Sequence, residues 1–226
     1  MHYFLNGGRD ERSVVKSAAA QAMYQQLGIR RLLFIPFAIV EDYWQERWHT
    51  QPDLFAMPSY EVQALTTLDT DPRLIQQKIV WAEAIYFPGG AQASLLKRAK
   101  ASGITELIQQ AIAARSLKLL AGGSAGAMVL GADCIVGHSQ VNAVVPGLNF
   151  LPGYVVDSHF SNRHREPLLQ QIMRQRPDLI GMGIDEDTGV VLNEDFALQA
   201  VYGPGTVKVY YHANTEIYDS NSCFTP

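Results

Sequence analysis

The chain has 226 residues, of which 47% are apolar and 18% charged, with a formal net charge of -4. That length suits one large α/β domain or two small ones, and the balance supports a sizeable core, which excludes a disordered or fibrous chain. No Lys/Arg run stands out, so nucleic acid is a poor partner for this surface.

In chain order, short apolar runs alternate with longer amphipathic stretches. His2–Leu5 reads as a strand ending in Asn6-Gly7-Gly8, and Glu11–Leu27 has helical periodicity closing at Gly28. Arg31–Val40 holds a buried-strand run, and a helix is expected around Glu41–Trp48. Tyr60–Thr67 suggests another strand, Asp71–Trp81 a helix, and Ala84–Phe87 a strand running into Pro88-Gly89-Gly90. Leu95–Ala114 is helical with an interruption at Gly103, Leu117–Ala121 is a short strand, and Ser124–Leu130 starts a helix. This alternation predicts βαβ units in a mostly parallel sheet, with ligand sites at the carboxyl ends of the strands. Three predicted strands end there in glycine pairs: Gly7-Gly8, Gly89-Gly90 and Gly122-Gly123. Glycine permits sharp turns and close approach to a ligand.

From Asp133 the pattern changes to short strand-like runs: Val141–Val145, Tyr154–Asp157, Gly183–Ile184, Val190–Leu192, Ala197–Tyr202 and Thr206–Tyr211. One helix, about Glu166–Arg174, interrupts them. These runs predict C-terminal β-hairpins appended to the parallel sheet. No linker or internal repeat separates the parts, so a single domain over 1–226 is expected.

The strongest chemical signal is Leu119-Leu120-Ala121-Gly122-Gly123-Ser124-Ala125-Gly126-Ala127. An apolar strand runs into G-x-S-x-G and then into a helix, the context of a nucleophile elbow. Small neighbours keep strand and helix from clashing, and the Ser124 hydroxyl is held at a helix N-terminus. There the Ala125 N–H can donate to a developing oxyanion. The plainer alternative is a helix N-cap in a glycine-rich turn. A phosphate loop is disfavoured because no G-K-[ST] follows.

Serine needs a base. Of six histidines, His159 is best placed, just past the apolar run Tyr154-Val155-Val156 and inside a polar cluster running to Arg165. A carboxylate should orient its ring, and Asp185-Glu186-Asp187 offers three in a row; spacing alone does not choose among them. The chain order Ser, His, acid differs from that of an α/β-hydrolase. His159 and His164 are five apart, which suits neither H-E-x-x-H nor a Cys/His knuckle, and no D-x-D-x-D-G run is present; no metal is expected.

Together, Ile85-Tyr86-Phe87-Pro88-Gly89-Gly90-Ala91-Gln92, Gly122–Ala127, Asp157-Ser158-His159-Phe160 and Gly183-Ile184-Asp185-Glu186 resemble the serine peptidase family of aspartyl dipeptidase (peptidase E) and cyanophycinase. The resemblance spans about Ala84 to Leu192. It implies a flavodoxin-like sheet with helices on both faces, as in class I glutamine amidotransferases, but with Ser in place of their Cys. It implies a triad of Ser124, His159 and Glu186, an oxyanion hole from the N–H groups of Gly90 and Ala125, and no cofactor. It also implies substrate contacts from Gln92, Asp157, Arg163 and Arg165, since a guanidinium grips a carboxylate with two parallel hydrogen bonds. The implied reaction is hydrolysis of a small peptide next to an aspartyl residue. Alternatives are cyanophycinase-like cleavage of β-Asp-Arg material, a non-catalytic ligand-binding member of the fold, and an esterase. Ala91, Ser158 and Leu168 depart from the family pattern, and Leu168 replaces an arginine of cyanophycinase.

Cys134 and Cys223 are too few for a disulfide framework, the N-terminus lacks signal-peptide character, and no apolar run nears the roughly 20 residues of a membrane span. A cytoplasmic protein, monomer or homodimer, with no membrane partner is expected. Tyr43–Pro58, with Trp44 and Trp48, is either a lid or surface packing.

Overall fold

The computed structural model describes residues 1–9, 18–39, 61–137, 143–212 and 214–222. The expected helix over Glu41–Trp48, the candidate lid Tyr43–Pro58 and Cys223 lie outside the described residues.

Five strands form the parallel heart of the first sheet: β1 (His2–Asn6), β2 (Arg31–Phe34), β3 (Glu61–Ala64), β4 (Ala84–Phe87) and β5 (Leu119–Gly123). They lie in the order β1-β5-β4-β2-β3. Both faces are buried, so adjacent residues of one strand enter opposite cores. Phe4, Leu32, Phe34, Ala84, Tyr86, Leu119 and Ala121 pack with Tyr24 of α1 (Ala18–Gln26). Leu5, Leu33, Ile85, Phe87 and Leu120 face the other way, onto α2 (Pro72–Trp81), α3 (Gln92–Ser102) and α4 (Ile104–Ala113). Helices therefore cover both faces, as a flavodoxin-like fold requires. Local chemistry sets their ends. The Asp71 side chain accepts from the Arg73 N–H with Pro72 in the first turn, and Gly103 separates α3 from α4 at φ 66°.

The C-terminal runs differ from their expected placement. Only β10 (Gly189–Leu192) and β11 (Leu198–Tyr202) extend the first sheet, β10 running antiparallel to β1. The rest build a second sheet from β6 (Gly131–Val136), β7 (Ala143–Pro146), β8 (Leu151–Ser158), β9 (Ile180–Ile184), β12 (Val207–Tyr210) and β13 (Thr215–Tyr218), in the order β13-β12-β9-β8-β6-β7. Within it β6, β8 and β9 are parallel; α6 (Glu166–Gln175) carries the chain from β8 back to the start of β9, and β7 lies between β6 and β8 in the chain. Alternation marks a strand but not the sheet it joins. Burial decides it: Ile135, Val155, Val156, Met182 and Ile184 share one apolar cluster with Leu5 and Leu120.

A short helix, α5 (Ala125–Met128), joins the sheets and gives way to β6 at Gly131. The carboxyl ends of β1, β5, β8 and β9 meet around Gly7. Its N–H donates to the Thr188 carbonyl and its own carbonyl accepts from the His159 N–H, both at 2.9 Å. Among the described residues no helix is long and apolar enough to cross a membrane.

Candidate active site

Ser124 sits between β5 and α5 at φ 48°, ψ -114°, a strained conformation for a residue with a Cβ. Backbone bonds hold it there: its N–H donates to the Asn6 carbonyl at 3.0 Å, and its carbonyl accepts from Ala127 and Met128, each at 3.0 Å. The glycines of the motif make the turn possible. A Cβ on Gly126 would stand 1.9 Å from the Phe87 carbonyl oxygen, and one on Gly122 would stand 2.5 Å from Gly126 backbone. The Ser124 side chain makes no capping bond to the α5 N–H groups. Its hydroxyl meets His159 Nε2 at 2.8 Å instead, so the N-cap alternative fails on geometry.

His159 follows β8, is 8% exposed and also has positive φ, 53°. Its N–H donates to Gly7 and its carbonyl accepts from Arg163 N–H at 3.0 Å. The ring lies against Gly8, where a Cβ would come within 2.6 Å of Nε2 and 2.9 Å of Ser124 Cβ. The second ring nitrogen, Nδ1, is 2.8 Å from Glu186 Oε1. A carboxylate can only accept, so Nδ1 carries the proton and Nε2 is left to accept from the serine hydroxyl.

The three acids left open by spacing take three separate places. Glu186 faces the imidazole. Asp185 is turned into the protein, where its carboxylate accepts from Ser161 N–H (3.0 Å), Thr206 N–H (2.9 Å) and Thr206 hydroxyl (2.8 Å). Burial works to raise the Asp185 pKa, but these hydrogen bonds together outweigh it and hold the carboxyl below its ordinary range. Asp187 adopts φ 55°, and its N–H donates to the Gly8 carbonyl at 3.1 Å.

Beside Ser124 lies a cavity of ≈ 200 Å³, with Gly90, Gln92, Asp157, Arg163 and Arg165 in its lining. A larger cleft of ≈ 420 Å³ near Met1 and Arg115 is lined by neither Ser124 nor His159. Among the described residues no backbone bond from the Gly90 or Ala125 N–H is present, and Gly90 lines the cavity beside Ser124. Gln92 is buried and its amide donates to the Met128 sulfur at 3.3 Å. Arg163 is exposed at the mouth. Asp157 lines the cavity too, and its carboxylate is engaged by the protein itself. It is 0% exposed, accepts from Arg165 Nε at 3.1 and 2.9 Å and from Ser158 N–H at 3.0 Å, and so holds Arg165 at the wall. Burial pushes its carboxyl above the ordinary range, with Arg165 pulling against that shift.

Three contributors were not anticipated. Asn6 supplies the carbonyl that anchors Ser124, Met128 receives both Gln92 and the Ser158 hydroxyl (3.2 Å), and Arg9 reaches Glu186. The Gly7-Gly8 pair marked the turn that carries Asn6 and Arg9; nothing in the sequence marked Met128. Among the described residues no group of three or more His, Cys, Asp or Glu is placed to hold a metal ion.

The family model of peptidase family S51 matches residues 5–199. A cyanophycinase from Trichormus variabilis is 36% identical over 132 residues, which is 55% of this chain and 44% of that protein. One from Geminocystis herdmanii is 33% identical over 141 residues, 59% of this chain and 51% of that protein. The chain thus spans about half the length of the curated relatives it matches. In three dimensions it is similar to a peptidase from an acI-B1 Actinobacterium, with a TM-score of 0.71 and 22% identity over 98% of this chain and 95% of that one. A peptidase E-type protein from Listeria monocytogenes EGD-e gives a TM-score of 0.64 and 19% identity, over 90% of this chain and 98% of that one. At these identities the likeness is one of fold.

Proposed function

The chain belongs to peptidase family S51, and from that footing we propose that it is a serine peptidase hydrolysing small peptides next to an aspartyl residue. The observation that carries the reading is the unbroken line from Ser124 Oγ to His159 Nε2 and from His159 Nδ1 to Glu186, 2.8 Å at each step. Ser124 Oγ attacks the scissile carbonyl while its proton passes to Nε2. Glu186 stabilises the imidazolium that forms and keeps the ring oriented. The carbonyl oxygen, now negative, is received by the Gly90 and Ala125 N–H groups; removing one such donor typically costs about 2.7–4 kcal/mol. His159 then gives its proton to the leaving amine, which departs and leaves an acyl-serine. Water, deprotonated by His159, hydrolyses that ester and frees Ser124.

The cavity supports an acidic side chain beside the scissile bond. Its two arginines face one buried aspartate, so its lining carries excess positive charge, and ≈ 200 Å³ has room for one small residue. Arg165 is pre-oriented by Asp157 and so loses little freedom on gripping a carboxylate.

A second reading has its own support. The curated relatives described above are cyanophycinases, which favours a β-linked Asp-Arg substrate. Leu168 argues against it, because it stands where cyanophycinase has a further arginine. Release of arginine from β-Asp-Arg separates the two.

The reading is tested with a fluorophosphonate, whose phosphorus is attacked by an activated serine hydroxyl with loss of fluoride to leave a phosphonylated serine. Intact-protein mass spectrometry should show one adduct on the wild-type chain, mapped to Ser124, and none on Ser124→Ala. A folded wild-type protein that takes up no reagent contradicts the proposed nucleophile.

A further inference from the structure

Glu186 presents two oxygens to two different partners. Oε1 meets His159 Nδ1 at 2.8 Å, and Oε2 faces Arg9 Nη1 at 3.4 Å. Arg9 comes from the turn after β1, where it adopts φ 70°. That turn is laced into the machinery on every side. Gly7 bonds Thr188 and His159, and Gly8 accepts from the Asp187 N–H while its own N–H donates to Asn6 Oδ1 at 3.2 Å. The guanidinium is therefore delivered by the same backbone that seats the imidazole.

From this juxtaposition we propose that Arg9 is a positioning residue that pins the outer oxygen of Glu186 and keeps His159 neutral to lower pH. The inference deepens the peptidase reading, on which it rests for its functional meaning. Bound at Oε2, the guanidinium leaves Oε1 for Nδ1 and restricts rotation of the carboxylate. It also offsets part of the negative charge that the imidazole senses. An imidazolium beside a partly neutralised carboxylate loses its proton more readily, and only the neutral ring can accept the Ser124 proton.

Among the described residues, the other charged and titratable groups near the ring are turned to other partners or to other sides of the site. Asp185, from the same loop, is turned onto Ser161 and Thr206. On the β8 side, Asp157 is engaged by Arg165, and Arg163 lies on the cavity side of Ser124. Asp187 sits in the turn with its N–H on Gly8. On α6, Glu166 is paired with Lys208 of β12. His164 lies in the exposed stretch between β8 and α6.

The Arg9 side chain is 66% exposed, so its field on the ring is weak and screened by salt. Removing it should raise the titration midpoint of His159 by about half a unit at low ionic strength.

The test is a ¹H–¹³C NMR titration of the His159 ring, its signal assigned by loss in His159→Gln, in wild type, Arg9→Gln and Arg9→Lys. Arg9→Gln should titrate about half a unit higher than wild type, Arg9→Lys within a few tenths of wild type, and the difference should vanish at about 1 M salt. The acidic limb of fluorophosphonate labelling should shift in parallel. Coincident titrations, or a lower midpoint in Arg9→Gln, would overturn the assignment. The NMR result does not depend on turnover, so absence of peptidase activity would count against the functional reading alone.

Discussion

Glu186 and Asp185 are adjacent acids that point in different directions, and their surroundings give them different work. Glu186 holds the imidazole, and Asp185 stitches the His159 loop to β12 through Ser161 and Thr206. Glu186→Gln can still fill the space but favours the wrong tautomer of His159. It should lower kcat by about 10²–10⁴-fold with little change in melting temperature. Asp185→Asn should cost about 1–3 kcal/mol of stability by weakening three partly buried hydrogen bonds, while keeping part of the activity. The sign of its pH dependence follows from the lowered folded pKa. The Asp185 contribution is complete above the ordinary carboxylate range and is lost as pH falls through the folded value. Asp185→Asn should therefore unfold with a flatter acid limb than wild type, as read by urea melts between neutral and acid pH. Sequence spacing could not separate these two residues, because the choice depends on where β12 passes the turn after β9.

At the scale of elements, G-x-S-x-G was legible because its glycines have a steric cause. Gly126 lets α5 lie directly on the end of β4, against the Phe87 carbonyl. Gly126→Ala should push the elbow away from the end of β4 and from Gly90, abolish fluorophosphonate labelling, and cost as much as the severe core substitutions, on the order of 4 kcal/mol. Gly103 is the contrasting case. It has φ 66°, yet a Cβ added there would meet nothing within 4 Å, so Gly103→Ala should cost only about 1 kcal/mol and leave labelling intact. Circular dichroism melts beside labelling of both variants check this pair. The parallel strands and α2 were equally legible, each having a strong apolar run or a cap such as Asp71-Pro72. The strands β6 and β13 were missed. β6 is interrupted by Asp133, and β13 is a half-exposed edge strand with Ile217 61% exposed, so neither shows a clean buried run.

At the scale of the whole molecule, the candidate site exists only where two sheets meet. Asn6, Gly8 and Ser124 come from the first, and His159 and Glu186 follow β8 and β9 of the second. The sequence carried the residues of this site, including the three glycine pairs at one edge. It did not carry the second sheet, since period-two alternation is blind to which partner a strand chooses. One apolar cluster runs across both sheets, so the line from Ser124 to Glu186 depends on their docking. The most direct test of the account is a panel of Asp-X, β-Asp-X, X-Asp and non-aspartyl dipeptides, given to wild type and to Ser124→Ala, with released amino acids quantified by chromatography. The account expects aspartyl peptides alone to be cleaved, and Ser124→Ala to release nothing above background. A folded wild-type protein that cleaves none of the panel, or a Ser124→Ala variant that cleaves as fast as wild type, would contradict it.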